Sequence, residues 1–288
     1  MTLLQHSVQP PSSTKSLSPK GRGHFRCPDP DTATILSNLV VIKITGKICD
    51  PANLSNLARD VGALTRRGMK VIIVHGGGRQ IDAALSSASI VTQKKDGIRI
   101  TPKEAIPHVV SAMKAINAEV GAAIRNEVDS VACIDNSDFS IISATRKDGY
   151  GEVGDVSKVD TRTITLVLRR SEVVVLSCLG KTGDDSVNIN ADDVAAAVAT
   201  SMKAKKLLML SDVPGIISND QVLPLVDNSI AHVLLANGTI TGGMVVKVTA
   251  MLDAAQHVGE VIVASGNTDS ILGVIDGSAV CTRFSSVA

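Results

Sequence analysis

The 288-residue sequence has no tryptophan, one tyrosine (Tyr150) and three phenylalanines (Phe25, Phe139 and Phe284). A core with so few rings must be filled by Ala, Val, Ile and Leu, the usual filling of a parallel sheet covered by helices. Scarce rings also count against single-strand nucleic-acid binding, which uses aromatic stacking platforms. Net charge is nearly absent: 29 basic against 28 acidic residues give +1, so no strong field draws nucleic acid or an anionic membrane. No apolar run approaches the roughly 18 residues of a membrane-spanning helix. The five cysteines, Cys27, Cys49, Cys133, Cys178 and Cys281, are widely spaced, with no CxxC and no Cys/His ligand spacing. They read as reduced thiols of a cytosol-like compartment, not as a disulfide framework. With 44% apolar and 20% charged residues, the chain is neither wholly disordered nor collagen-like.

Composition divides the chain. Residues 1–36 hold five of the ten prolines, five serines and the basic Lys15, Lys20, Arg22 and Arg26, with no acid among the first 28. This segment reads as a disordered leader, and its basic, Ser-rich character also fits an organellar transit peptide. Beyond it, apolar runs alternate with helical periodicity. Leu39–Thr45 reads as a buried strand. Leu54, Leu57, Ala58, Val61 and Leu64 follow at helical spacing, with Gly68 as a stop. Val71–Val74 is the next strand, completing a βαβ unit. A helix is predicted over 103–127, strands over 172–178, 207–211 and 261–265, and helices over 192–203 and 245–257. This alternation defines α/β architecture with a mostly parallel sheet. A lobe boundary is placed near residue 170, although composition does not shift there.

Four glycine- or lysine-bearing segments fall at the ends of these elements. Lys43 lies inside the otherwise apolar first strand, followed by Ile44-Thr45-Gly46-Lys47; it is either a lysine snorkelling at a strand end or a ligand contact. His75-Gly76-Gly77-Gly78 follows the second strand. Three glycines let a backbone approach a ligand and aim several N–H groups at one anion, and a helix starting just after would add its dipole; the plain alternative is a tight turn. Asn188-Ile189-Asn190-Ala191-Asp192 opens an Ala-rich helix, where Asn190 or Asp192 suits an ordinary cap. Gly242-Gly243-Met244 enters another helix with Lys247 one turn inside, an arrangement that suits a polyphosphate. Two near-misses fall away. Gly180-Lys181-Thr182 would end a Walker A loop only with glycine at position 175, which is Val. HGGG occurs as an oxyanion loop in some hydrolases, but these need a Gly-x-Ser-x-Gly elbow that is missing here. Several anion cradles, two well-placed lysines and no metal cage are what phosphoryl transfer asks of a protein.

The strings VIKITGK, VHGGGRQID, DGIRITP, GEVGDV, VNINADD, LLMLSDVPGI and GTITGGMVVKVTAMLDAA, in this order from about Leu39 to Phe284, resemble the amino acid kinase family, most closely its branch acting on N-acylated glutamate. The resemblance implies a three-layer αβα sandwich with a central, mainly parallel sheet over 37–288, in which 37–170 binds the acyl amino acid and 171–288 binds ATP. The implied reaction passes the γ-phosphoryl of ATP, carried with Mg²⁺ held mainly by the nucleotide phosphates, to the side-chain carboxylate of N-acetyl-L-glutamate on the route to arginine. Lys43 and Lys247 would stabilise the migrating phosphoryl group and Asp192 would orient them. Gly46, Gly76, Gly77 and Gly78 would line the phosphate and acceptor path. Arg99 would pair with an acceptor carboxylate and Asn188 with the acetyl-amino end. Asp212, Val213, Pro214, Gly215, Ile216 and Ile217, with Thr239, Ile240 and Thr241, would line the nucleotide. A cytoplasmic, arginine-insensitive homodimer is implied.

The chain departs from the family at Thr45, where a bare glycine is usual, and at Lys47, which adds a cation beside the phosphate path. Two alternatives stay open: a same-fold kinase for a longer acceptor of aminoadipate type, since one methylene is worth only about 1–3 kcal/mol of discrimination, and a catalytically silent amino-acid sensor, which would be expected to lose Lys43, Lys247 or Asp192.

Overall fold

The computed structural model describes residues 30–46, 51–95, 97–136, 140–241, 243–266 and 271–286. In chain order the first elements are α1 (Pro30–Ser37), β1 (Leu39–Ile44), α2 (Pro51–Arg66), β2 (Lys70–His75), α3 (Gly78–Ser87), β3 (Lys94–Lys95) and β4 (Ile98–Arg99). A 3-10 turn (Lys103–Ala105) leads into α4 (Ile106–Ile124), followed by β5 (Val131–Ile134), β6 (Ile142–Arg146), β7 (Gly154–Val159) and α5 (Thr161–Leu168). Then come β8 (Val173–Ser177), β9 (Leu179–Thr182), β10 (Asp185–Asn188), α6 (Ala191–Met202), β11 (Lys206–Ser211), β12 (Ile217–Ser218), β13 (Gln221–Val222) and β14 (Leu225–Val226). The chain closes with α7 (Asn228–Ala236), α8 (Gly243–Ala255), β15 (Val261–Ser265), α9 (Ile271–Asp276) and β16 (Thr282–Phe284).

Eight strands form the central sheet in the order β14-β16-β15-β11-β1-β2-β8-β5, parallel except between β15 and β16. β1 lies between β2 and β11, with Val41 opposite Ile72 and Ile42 opposite Leu208. Its residues are buried on both faces, which is why it reads as a continuous apolar run. Val41, Val74 and Met209 face α6 and α8; Val40, Ile42, Ile73 and Leu208 face α2, α9 and the end of α4. Helices on both faces of one sheet make the three-layer sandwich. Below it, β10-β9-β6-β7 form a smaller sheet of shorter, partly exposed strands.

The last residues of the expected leader are helical. Residues from Pro30 onward form α1, because Ile35 is buried in the core and Arg169 donates to Thr32 Oγ1 at 3.0 Å. The rest of the leader lies outside the described residues, as do Lys47, Cys49 and Phe139. Across residue 170 the sheet is unbroken: β8 pairs with β2 on one side and β5 on the other. Gly149, Gly151 and Gly154 have the spacing of a dinucleotide fingerprint, but they lie in and beside the antiparallel β6–β7 hairpin, not at a strand-to-helix turn. Cys133, Cys178 and Cys281 are free thiols; burial pushes Cys178 up to about 12. Among the described residues no helix is long and apolar enough to cross a membrane.

Candidate active site

Parallel strands present their carboxyl ends on one side of a sheet, and ligands gather where successive strands diverge. Here the chain leaves β1 for β2 on one side and later adds β11 on the other, so the crevice opens beyond Lys43, the penultimate residue of β1. Lys43 pairs laterally with Val74 and Met209, which sets its backbone between the β2 and β11 ends.

Asp192 draws in two cations. Lys43 Nζ is 2.7 Å from Asp192 Oδ1, and Lys247 Nζ is 3.3 Å from Asp192 Oδ2. Lys43 comes from the central strand, Asp192 from the first turn of α6 and Lys247 from the first half of α8. The capping alternatives resolve between the two candidates: Asn190 caps α6, its side chain accepting from Asp192 N at 3.1 Å, and the Asp192 carboxylate is left for the lysines. Burial pulls the Asp192 carboxyl upward, but the charges of Lys43 and Lys247 and their hydrogen bonds outweigh it. The carboxyl is held below its ordinary value.

The glycine run forms a cradle. α3 begins at Gly78 with Gly77 as an N-cap that supplies no side chain, so the first-turn N–H groups remain unclaimed by a cap. Gly77 is required by packing: a Cβ there would stand 2.7 Å from Ile116 Cδ1 on α4. Just upstream, His75 Nδ1 donates to the Gly76 carbonyl at 3.1 Å, and Nε2 accepts from Asn117 Nδ2 at 3.2 Å. The two N–H groups of Asn117 Nδ2 are shared among His75 and the carbonyls of Ile134 at 3.0 Å and Val175 at 3.3 Å, so α4 ties together β2, β5 and β8. Burial lowers the His75 pKa to about 4, against the opposing effect of the Gly76 hydrogen bond, and keeps the ring neutral.

Arg99 is buried, and its guanidinium is already engaged. It pairs through Nη2 with Asp82, donates from Nη1 to Thr92 Oγ1 at 2.8 Å, and reaches the Gly78 carbonyl at 3.4 Å. Asn188 ends β10. The two positions are joined by residues 150–153: Thr101 N donates to Tyr150 O, Glu152 N to Thr101 O, and Asn188 N to Glu152 O. Gly151 makes this crossing possible. Its φ is +70, and a Cβ would stand 2.3 Å from the Thr101 carbonyl oxygen.

Past β11, the loop 212–217 is held against β16, where Ile216 N donates to Thr282 Oγ1 at 2.8 Å. The side chains of Ile216 and Ile240 are buried in the core, which leaves only their backbone atoms for the expected nucleotide contacts. Asp212 and Thr241 are exposed. Thr239 N donates to Asn237 Oδ1, and the Thr241 carbonyl accepts from Met244 N at the start of α8.

Sequence reasoning missed Asp82, Gln80, Asn117 and the 150–153 crossing. Thr45 Oγ1 and Gln80 Oε1 are buried with no hydrogen-bond partner among the described residues, and Gln80 Oε1 lies 3.5 Å from where a Gly46 Cβ would stand. Asn117 carried a signal, a polar residue on the apolar face of a helix. One residue beyond Asp192, Asp193 lines a cavity of about 650 Å³ between β7, α6 and α8, which contains none of Lys43, Lys247 or Arg99 and is distinct from the site.

The chain belongs to the amino acid kinase family, whose model matches residues 38–265. Two of its similar relatives are acetylglutamate kinases. That of Aliivibrio fischeri is 32% identical over 254 residues, 85% of this chain and 97% of that one. That of Bacillus cereus is 31% identical over 260 residues, covering 88% and 100%. Among solved structures, smu.665 from Streptococcus mutans matches with a TM-score of 0.72 at 27% identity, over 87% of this chain and 99% of that one.

Proposed function

We propose that this protein transfers the γ-phosphoryl group of ATP to the side-chain carboxylate of N-acetyl-L-glutamate, the acetylglutamate kinase reaction, which serves arginine biosynthesis. The observation that carries the reading is the Lys43–Asp192–Lys247 cluster, two ammonium groups from separate parts of the chain on one carboxylate.

An acceptor carboxylate oxygen attacks the γ-phosphorus. The new O–P bond forms as the bond to the bridging oxygen breaks, and ADP leaves with the electron pair. The nucleophile is an ionised carboxylate at neutral pH, so no proton has to be removed. What the protein supplies is placement and charge. Lys43 and Lys247 neutralise the negative charge that spreads over the phosphoryl oxygens, while Asp192 keeps both ammonium groups aimed into one space. The Gly77–Gly78 backbone and Gly46 border that space, and Arg99 and Asn188 grip the two ends of the acceptor.

The donors around the cleft are ammonium groups and backbone N–H, which suit a polyphosphate. Both Asp192 oxygens are taken by lysines, so Mg²⁺ would be held chiefly by the nucleotide's own oxygens, where it screens charge.

Trapping of the acyl phosphate as a hydroxamate tests the reading, with N-acetylglutamate, glutamate and N-acetyl-aminoadipate offered in parallel with MgATP. N-acetylglutamate should give the strongest signal, and Lys247→Ala should abolish it while the protein stays folded. A signal confined to the longer acceptor would reassign the substrate, and none from any acceptor would sink the kinase reading.

A further inference from the structure

Arg99 is 8% exposed, and a buried guanidinium without a counter-ion is costly. Its counter-ion is Asp82, one turn into α3, whose Oδ1 pairs with Nη2. The same Nη2 also donates to the Gly78 carbonyl at 3.4 Å. With Nη2 so occupied, an incoming carboxylate cannot take the parallel two-point grip that a guanidinium offers through that nitrogen. Asp82 itself is 49% exposed, so water can take it back at little cost. A second cation also waits beside it: Lys94 Nζ on β3 is 3.7 Å from Asp82 Oδ2. Asp82 is therefore shared between a buried cation, which a ligand needs, and an exposed one, which it does not.

We propose that Asp82 is an internal stand-in for the acceptor's carboxylate, a specificity-determining residue that competes with the acceptor for Arg99 and, when displaced, passes to Lys94. The proposal rests on the reading of Arg99 as an acceptor-binding residue. It narrows the substrate class. Only a molecule with a second carboxylate, besides the one that is phosphorylated, can exchange charge for charge with Asp82. A neutral amide at that end would leave Asp82 in place and face an occupied guanidinium.

The test uses the full chain with MgATP and hydroxamate trapping. In Asp82→Asn, which keeps the shape and removes the charge, KM for N-acetylglutamate should fall roughly threefold or more, while KM for ATP stays. The preference for N-acetylglutamate over its α-amide should shrink in the same variant. Lys94→Met should raise the acceptor KM in the parent and do so less in the Asp82→Asn background, because the two residues then no longer interact. A raised or unchanged acceptor KM in Asp82→Asn overturns the proposal and makes Asp82 a plain brace. If that variant does not fold, Asp82→Ser is measured in its place. In the unaltered chain, an acceptor complex should show Arg99 parted from Asp82, and an intact pair there overturns the proposal as well. Failure of the underlying reading looks different: Arg99→Met would leave the acceptor KM where it was.

Discussion

Lys43 on the central strand and Asp192 in the first turn of α6 meet at 2.7 Å, and the carboxylate they share with Lys247 is mostly buried. Asp192→Asn keeps the volume but leaves two ammonium groups facing each other. Activity should fall on the order of 10²-fold in kcat. Stability at neutral pH should fall by about 3 kcal/mol, the low end for breaking a buried pair. Because the native pKa is depressed, this contribution is complete above the ordinary carboxylate range and disappears as pH falls through the native value. Denaturant melts of parent and variant should therefore converge in acid.

His75 gives a second acid dependence. Its native pKa of about 4 lies below the ordinary 6.5, so the unfolded chain binds the extra proton first. The stability it contributes is whole above about 6.5 and is lost between there and 4, a change of roughly 3 kcal/mol. His75→Gln should flatten the melting temperature over that window. An equally steep profile in the variant would show that another group is responsible.

Asp193 works in the opposite direction. Burial, then the charges of Asp192 and Asp155, raise it to about 6, with Lys147 opposing. A raised carboxyl costs the native state progressively as pH rises from the ordinary 3.8 to about 6, and the full cost remains above that. Asp193→Asn should therefore raise the melting temperature at pH 8 more than at pH 4.5. Comparing the two variants separates this effect from that of His75.

Two glycines in one hairpin should respond differently to a methyl group. Gly149 has φ +80 with nothing within 4 Å of its missing Cβ, so Gly149→Ala should cost about 1 kcal/mol of backbone strain. Gly151 has φ +70 and faces the Thr101 carbonyl at 2.3 Å, so Gly151→Ala adds a clash of about 1–3 kcal/mol. It should also raise the acceptor KM, because the crossing between Thr101 and Asn188 must shift. Melts and acceptor titrations of the two variants check the difference.

The strands that flank the crevice were legible because both faces of each are buried: β1, β2, β8, β11 and β15 are runs of Val, Ile and Leu with few interruptions. The smaller sheet was not, since ISATR, GDVSKV, LGKT and DSVN are short, polar and half exposed, with no single period to read. α1 was hidden by its setting, as its helix starts on Pro30 inside a Pro- and Ser-rich stretch and is fixed by Ile35 and by α5. In the site, Lys43, Asp192 and Lys247 stood out because each occupies a strand end or helix start beside glycine or asparagine. Asp82 did not, because its meaning depends on Arg99 arriving from a separate hairpin, a contact that local spacing cannot report.

The four residues 150–153 fix the spacing of the two chain segments on either side of them. Thr101 is hydrogen-bonded along one border of that tetrapeptide and Asn188 along the other. Thr101 and Asn188 are thus held a main-chain width apart, a spacing set by backbone and not by side chains. Adding or removing a residue in the neighbouring hairpin would then displace Thr101 relative to Asn188, where a side-chain exchange at either position would leave their backbones in register.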